Sequence, residues 1–283
     1  MTTITSPDLT VTVSDMGAEM QSLTFRGQEF LWNGDAEWWT GRSPVLFPIV
    51  GRAPDDKIEI RGESFDMPQH GLARRLPFTV VAQDEAHVTH ELVPSEATAS
   101  YPYKFRLQLT HRVTGPTLEV AATVTNEDSV PMPFGLGFHP AFRWPLPNAT
   151  GAHKVELANG AEPAMNRVVD GLISRETEAS PFHQGSLTLS HDLFAKNAAI
   201  FPEGTGEALR YQGETGPSLD FRFANLPNLA LWQPPGAPFL CIEPWHGMAA
   251  WHGAGAKIED RPYTLSLGAG ETARFAWFVT IRD

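Results

Sequence analysis

YKFRLQLTHRVTGPTLEVAATV, residues 103–124, alternates apolar and polar side chains on both sides of a turn. From Tyr103 to Leu109 every odd position is apolar, and from Leu118 to Val124 the even positions are apolar. The four residues between the two runs, TGPT at 114–117, contain the glycine and proline that are typical of turns. Because alternation with period two indicates a strand with one buried face, this stretch predicts a β-hairpin with its other face in water.

The same pattern of strand, turn and strand recurs along the chain, around Gly27, Gly62, Gly216 and Gly268. Helical periodicity is almost absent, and one short helix is expected at residues 191–196. Many strands that follow one another directly favour a sandwich or a barrel over a βαβ fold. We therefore predict an all-β protein with a single domain over residues 1–283, since β-sandwiches of this length occur undivided.

Composition narrows the classes of function. The chain has 42% apolar and 19% charged residues and a net charge of −12. Binding of nucleic acid or of an anionic membrane needs a basic face, so neither is expected, although a few local arginines could bind a phosphorylated small molecule. One cysteine, Cys241, excludes an internal disulfide, and the N-terminal residues lack the basic and apolar blocks of a signal peptide. We expect a cytoplasmic protein.

Alternation fails in four apolar segments that are rich in glycine and proline. A local rule that is broken without a visible structural gain tends to mark a functional site. Each segment carries a residue suited to chemistry: PVLFPIVGR ends in Arg52, MPQHGLARR holds His70, FGLGFHPAF holds His139, and FLCIEPWHG holds Glu243.

Glu243 and His139 are the strongest candidates for acid–base chemistry. Glu243 follows an apolar run and is expected at the end of a buried strand, where an ionised carboxylate is costly unless a partner pairs with it. Burial raises the pKa of a carboxyl group towards neutral pH and lowers that of an imidazole from a value already close to it, so both groups are candidates for proton exchange. A structural ion pair of Glu243 with an arginine, and a core histidine that donates to a carbonyl, remain the alternatives.

The other candidates are binding residues. Arg52 suits either a salt bridge or contact with an anion or hydroxyl, and His70 reads as a loop histidine. Trp232 and Trp245 could stack on the C–H faces of a sugar, although tryptophans also fill cores. Metal spacings, nucleotide fingerprints and a GxSxG motif are absent from the sequence, so no metal or cofactor is predicted.

Six segments in a fixed order give a family resemblance. They are GAEMQSL at 17–23, EFLWNGD, PVLFPIVGR, PQHGLAR, GFHPAF and LALWQPPGAPFLCIEPWHG. Together they resemble the aldose 1-epimerase (galactose mutarotase) family, particularly its less studied bacterial branch. The similarity runs from about residue 17 to about residue 247 and so covers most of the chain.

The resemblance implies a β-supersandwich that is mostly antiparallel, with a carbohydrate cleft on one sheet, and interconversion of the α and β anomers of an aldose. It implies Glu243 as the general base and His139 as the general acid, with His70 and Arg52 on sugar oxygens. The family's sugar-binding aspartate has no clear match, and Asp192 is its only candidate. The HGLARR segment also resembles a hexose-6-phosphate branch, in which Arg74 would meet a phosphate.

The resulting hypothesis is ring opening by a base and an acid, without a redox cofactor or a metal, on a small monosaccharide. The protein is expected to be a monomer or a homodimer. Three other functions fit the same residues: a carbohydrate-binding or sensing protein with little turnover, a hexose-6-phosphate epimerase, and a metal-dependent β-barrel enzyme that uses His70, His139, Glu243 and His246.

Overall fold

A computed structural model describes all residues 1–283. It contains 25 β-strands, five short 3₁₀ helices and no α-helix, and every strand pair in its sheets is antiparallel. The all-β prediction is confirmed. The helix expected at 191–196 is wrong in kind, since the chain forms a 3₁₀ turn at His191–Phe194.

The first strands in chain order are β1 (Thr2–Thr5), β2 (Leu9–Val13), β3 (Met20–Phe25), β4 (Gln28–Glu29), β5 (Val45–Leu46), β6 (Lys57–Ile60), β7 (Glu63–Asp66), β8 (Thr79–Gln83) and β9 (His87–Leu92). Next come β10 (Phe105–Thr114), β11 (Thr117–Asn126), β12 (Met132–Phe134), β13 (Leu136–Phe138), β14 (Ala141–Arg143), β15 (Lys154–Leu157), β16 (Met165–Val169), β17 (Leu172–Glu178) and β18 (Ser186–Thr188). The last are β19 (Ala199–Phe201), β20 (Ala208–Gln212), β21 (Ser218–Ala224), β22 (Asn228–Trp232), β23 (Phe239–His246), β24 (Leu265–Leu267) and β25 (Thr272–Arg282). The other 3₁₀ helices are Pro54–Asp56, Ala73–Arg75, Glu96–Thr98 and Ile258–Asp260.

Two large sheets dominate the fold. The nine-stranded sheet has the order β18-β15-β20-β21-β25-β11-β10-β9-β8. The eight-stranded sheet has the order β17-β16-β19-β22-β23-β13-β5, with β14 also paired to β23. A four-stranded sheet (β1-β2-β3-β4) and two-stranded sheets (β6-β7 and β12-β24) complete the structure.

The hairpin at residues 103–124 forms as predicted. β10 and β11 pair from Thr114 opposite Thr117 to Phe105 opposite Asn126, and the side chains of β10 alternate between buried and partly exposed. Hairpins also form around Gly27, Gly62 and Gly216. The strands that flank Gly268 do not pair with each other: β24 pairs with β12, whereas β25 lies between β11 and β21.

The main core lies between the two large sheets. Three aromatic contacts connect them: Phe142 with Phe221 (5.2 Å between ring centroids), Phe138 with Trp277 (6.4 Å) and Phe142 with Trp277 (6.3 Å). These rings belong to a continuous cluster of 63 buried residues. The eight-stranded sheet therefore has one face in this core, and its other face is left to build a site.

Strand β23 explains why alternation fails at FLCIEPWHG. Leu240 and Ile242 belong to the main core, whereas Trp245 packs in a separate cluster on the other side of the sheet. The first seven residues of the strand are all buried, because both of its faces are covered. Glu243 lies inside this strand, and not at its end as the sequence suggested.

No helix in the structure is both long and apolar enough to cross a bilayer.

Candidate active site

A cavity of about 420 Å³ opens on the face of the eight-stranded sheet that points away from the main core. This volume is within the range of small-molecule sites. All seven residues that the sequence nominated as site residues line it: Arg52, His70, Arg74, His139, Trp232, Glu243 and Trp245. The structure thus brings together residues that are up to 193 positions apart in the sequence, between Arg52 and Trp245.

The strand register places His139 opposite Glu243. In the antiparallel pairing of β13 and β14 with β23, Gly137 faces Trp245 and Ala141 faces Cys241. Midway between these two pairs, residue 139 therefore lies opposite residue 243. Accordingly, Nε2 of His139 lies 3.1 Å from Oε2 of Glu243. Both side chains are buried, with 8% and 2% of their surface exposed.

Burial sets the protonation of this pair. Loss of solvent lowers the pKa of His139 to about 3 and raises the pKa of Glu243 well above its usual value. Because each group avoids charge when it is alone, the pair is expected to hold one proton between its two members at neutral pH.

Several polar atoms of the pair lack a partner within the protein. Oε2 of Glu243, Nδ1 of His139 and the indole nitrogen of Trp245 are buried and make no hydrogen bond. The approach of His139 to Glu243 is close, but it is not aligned as a hydrogen bond. Since buried polar groups are nearly always satisfied in proteins, unpaired atoms at the wall of a cavity indicate a site for polar groups of a ligand.

His70 is held by the loop that ends in Arg52. The backbone N–H of Gly51 donates to Nδ1 of His70 (3.1 Å), and the N–H of His70 donates to the carbonyl of Gly51 (2.8 Å). Burial, with His139 and three arginines nearby, keeps the pKa of His70 well below its usual value. The ring is therefore neutral, and because Nδ1 accepts a bond, its proton is on Nε2. This N–H can donate to a ligand hydroxyl.

The two cavity arginines have different surroundings. Arg52 donates from Nε and Nη2 to the two carboxylate oxygens of Asp56, both at 2.7 Å, so it forms the salt bridge that the sequence raised as one alternative, and it also lines the cavity. Arg74 has no carboxylate partner. Its Nη2 donates to the carbonyl of Gln69 (3.1 Å), and its buried Nε is unpaired.

The tryptophans form one wall. The ring of Trp232 meets that of His139 edge to face, with 5.6 Å between the centroids. The indole of Trp245 lies across Gly137, where a Cβ atom would come within 2.5 Å of the ring. Glycine at this position is therefore what allows Trp245 to line the cavity.

Of the ten other residues that line the cavity, three carry aromatic or polar side chains that were not nominated from the sequence: Trp39, Gln69 and Asn197. They lie in loops without a regular pattern, and only the concentration of tryptophans near residue 39 could have hinted at a role. Asp192, the sequence candidate for a sugar-binding aspartate, is exposed and does not line the cavity. No aspartate lines it, and Glu243 is its only carboxylate.

The metal site considered from the sequence is not assembled as proposed. His246 is partly exposed and turns its Nδ1 to Asn225, at 3.0 Å from the carbonyl oxygen. The donor atoms of His139, Cys241 and Glu243 do lie within 4.8 Å of one another. These three could hold a metal ion only if the pair gave up the proton that it shares.

Comparisons with known proteins lead to one family. The model of the aldose 1-epimerase family matches residues 1–250. The LacX protein (chromosomal) of Lactococcus lactis subsp. lactis is 29% identical, with 96% of each chain covered. Two solved structures, each 27% identical, cover all of this chain: a galactose mutarotase-like protein from Lactobacillus casei (TM-score 0.93, all of that chain) and a galactose mutarotase related enzyme from Lactobacillus acidophilus (TM-score 0.94, 97% of that chain).

Proposed function

The chain belongs to the aldose 1-epimerase family, and from this premise we propose that it is an isomerase that interconverts the α and β anomers of an aldose by acid–base opening of the sugar ring. One observation carries the proposal. A carboxyl group and an imidazole, both buried, meet at 3.1 Å in the wall of a sugar-sized cavity.

The spacing of the pair suits a cyclic hemiacetal. The hydroxyl oxygen O1 and the ring oxygen O5 are both bonded to C1, so two groups that almost touch each other can each reach one of these oxygens. A bound sugar then replaces the contact between Glu243 and His139. One of these oxygens also supplies a partner for Oε2 of Glu243, which the protein leaves unsatisfied.

Ring opening removes one proton from the sugar and adds one proton to it, so the sugar gains and loses no charge. Once the proton of the pair has moved to His139, Glu243, as carboxylate, takes the proton of the O1 hydroxyl while His139, as imidazolium, gives its proton to O5. The C1–O5 bond breaks, C1=O1 forms, and rotation about C1–C2 presents the other face of the aldehyde. Closure reverses the two transfers, which returns the proton to His139. A positioned acid or base contributes roughly 10²–10⁴-fold each.

The remaining cavity residues would orient the sugar. The Nε2–H of His70 would donate to a hydroxyl, and Nη1 of Arg52 is free to do the same, because only Nε and Nη2 are bound to Asp56. Trp232 and Trp245 offer aromatic faces for the C–H face of the ring.

The test is anomer exchange measured by polarimetry on freshly dissolved α-glucose and α-galactose, with the spontaneous rate subtracted. The proposal expects a rate that is proportional to protein concentration. Calorimetric binding of a sugar without any gain in rate would instead establish the alternative of a carbohydrate-binding or sensing protein.

A second candidate substrate class, a phosphorylated aldose, is favoured by Arg74. This arginine lines the cavity without a carboxylate partner and with its buried Nε unpaired. The only carboxylate in the cavity, Glu243, has a raised pKa, so the cavity does not neutralise Arg74. A phosphate on the sugar would supply both charge and acceptors.

The two substrate classes are distinguished by kcat/KM on glucose and on glucose 6-phosphate, measured for the wild type and for Arg74→Leu. Arg75→Leu is the matched control, because Arg75 is exposed and lies outside the cavity. Phosphate recognition predicts a loss of about 10- to 100-fold in kcat/KM on the phosphorylated sugar alone, the range given for hydrogen bonds to charged groups. Equal losses on both sugars would remove Arg74 from phosphate recognition.

A further inference from the structure

Trp39 covers the imidazole of His139. The two rings lie 4.8 Å apart between centroids, at an angle of 31°. Trp39 itself lines the cavity and is only partly buried. Trp232 meets the rings of both residues edge on, at 5.6 Å from each. His139 therefore has an aromatic face along one side, in addition to the contact with Glu243.

The loop that carries Trp39 is fixed to the rest of the fold. The indole N–H of Trp32 donates to the carbonyl of Trp39 (2.8 Å). The indole ring of Trp39 lies against Gly41, where a Cβ atom would come within 2.4 Å of the ring. Beyond this glycine the loop is bonded to the segment of His139, because the backbone N–H of His139 donates to the carbonyl of Pro44 (3.1 Å). Trp39 and His139 are thus held in one unit.

The charges around His139 explain what such a face can do. His139 is faced by Glu243 and Cys241 from β23, by the ring of His70 at 5.5 Å, and by Arg74. Of these, only Glu243 favours a protonated imidazole, and it does so only as a carboxylate. The face of an indole ring carries negative partial charge and attracts a cation, most strongly where water is excluded.

We propose that Trp39 is a positioning residue for the pair of Glu243 and His139: its indole face holds the imidazole plane in the cavity and stabilises the imidazolium form. This inference rests on the proposed function, in which His139 must carry the proton that it gives to the ring oxygen. The indole face replaces part of the stabilisation by water that the imidazolium loses on burial. It does so without adding a second negative charge beside Glu243.

The pH profile of anomer exchange tests this role. The imidazolium is lost at high pH, so removal of the indole in Trp39→Leu should move the alkaline limb of kcat to lower pH by about 0.4 to 1.5 pH units, the range given for cation–π contacts. Trp39→Phe keeps an aromatic face and should move the limb less. Trp38→Leu is the matched control, since Trp38 does not line the cavity. An unchanged alkaline limb in Trp39→Leu would overturn the inference.

A second readout does not depend on catalysis. The imidazole of His139 is followed by NMR in histidine-labelled protein, with its signals assigned through His139→Gln, and its titration should move to lower pH in Trp39→Leu and less so in Trp39→Phe. One outcome is that the protein lacks epimerase activity while the titration of His139 still depends on the side chain at position 39. In that case the proposed function fails and the role of Trp39 stands. If Trp39→Leu does not fold, the NMR titration of Trp39→Phe decides: no shift relative to the wild type overturns the inference.

Discussion

Replacement of Glu243 by glutamine removes the proton acceptor and leaves the shape of the site. Glu243 is buried to 2% exposure, and its raised pKa favours the protonated, uncharged form, which a glutamine resembles in size and charge. The substitution leaves no new cavity and no new buried charge. We therefore expect the free energy of unfolding to change by less than about 1.5 kcal/mol, as for volume-conserving changes.

The expected loss of activity is far larger. A positioned base contributes roughly 10²–10⁴-fold, or about 3–5 kcal/mol of transition-state stabilisation. Because Glu243 and His139 act together in one concerted step at C1, Glu243→Gln combined with His139→Gln should be little worse than either change alone. Two independent contributions would instead multiply.

The assay is the initial change in optical rotation of fresh α-galactose and α-glucose, with the spontaneous rate subtracted and thermal unfolding measured on the same preparations. Glu63→Gln, on the exposed strand β7, is the matched control. If Glu243→Gln keeps more than about a tenth of the wild-type rate, or if the losses of the two single variants multiply in the double variant, the assignment of Glu243 and His139 as one concerted acid–base pair is refuted.

Three further predictions concern stability and metals. Burial lowers the pKa of His111 to about 3, below the value of 6.5 for an unfolded histidine, so the unfolded state binds more protons and stability falls as pH drops below 6.5. Between pH 7.5 and 5.5 this effect accounts for about 1.4 kcal/mol of lost stability, and His111→Leu should abolish that part of the loss in urea denaturation. An unchanged dependence of stability on pH in the variant would contradict this. Gly137→Ala places a Cβ atom 2.5 Å from Trp245 and should destabilise the protein by about 1–3 kcal/mol and lower kcat/KM. Gly255→Ala, which meets open space, should do neither, and similar denaturation midpoints for the two alanine variants would count against the packing argument. Treatment with a chelator should leave anomer exchange unchanged, whereas activity that is lost and then restored by a divalent metal would favour the metal-dependent alternative.

Local pattern predicted much of the fold because most strands have one wet face. The hairpin at 103–124 and those at Gly27, Gly62 and Gly216 follow directly from alternation and turn residues. The pattern gave the wrong partner at Gly268, since pairing of β24 with β12 joins segments more than 130 residues apart, and no local signal specifies such a contact.

The site was predicted only in part, for a related reason. Glu243 and His139 were marked by their apolar surroundings, but their contact depends on the register of β13 and β14 against β23, which places Gly137 opposite Trp245. The position of Glu243 inside β23 could not be predicted either, because a strand that is buried on both faces shows no alternation to mark where it ends. Trp39 reaches the site from an irregular loop, which sequence periodicity does not describe.

The central claim is that the paired carboxyl and imidazole groups act on the anomeric centre of a sugar. A crystal structure of the wild-type protein soaked with α-galactose or α-glucose measures this directly. The account predicts O1 and O5 of the sugar within about 3.2 Å of Glu243 and His139, one oxygen to each. A sugar bound in this cavity with C1 turned away from both residues, or bound only elsewhere on the protein, would contradict it.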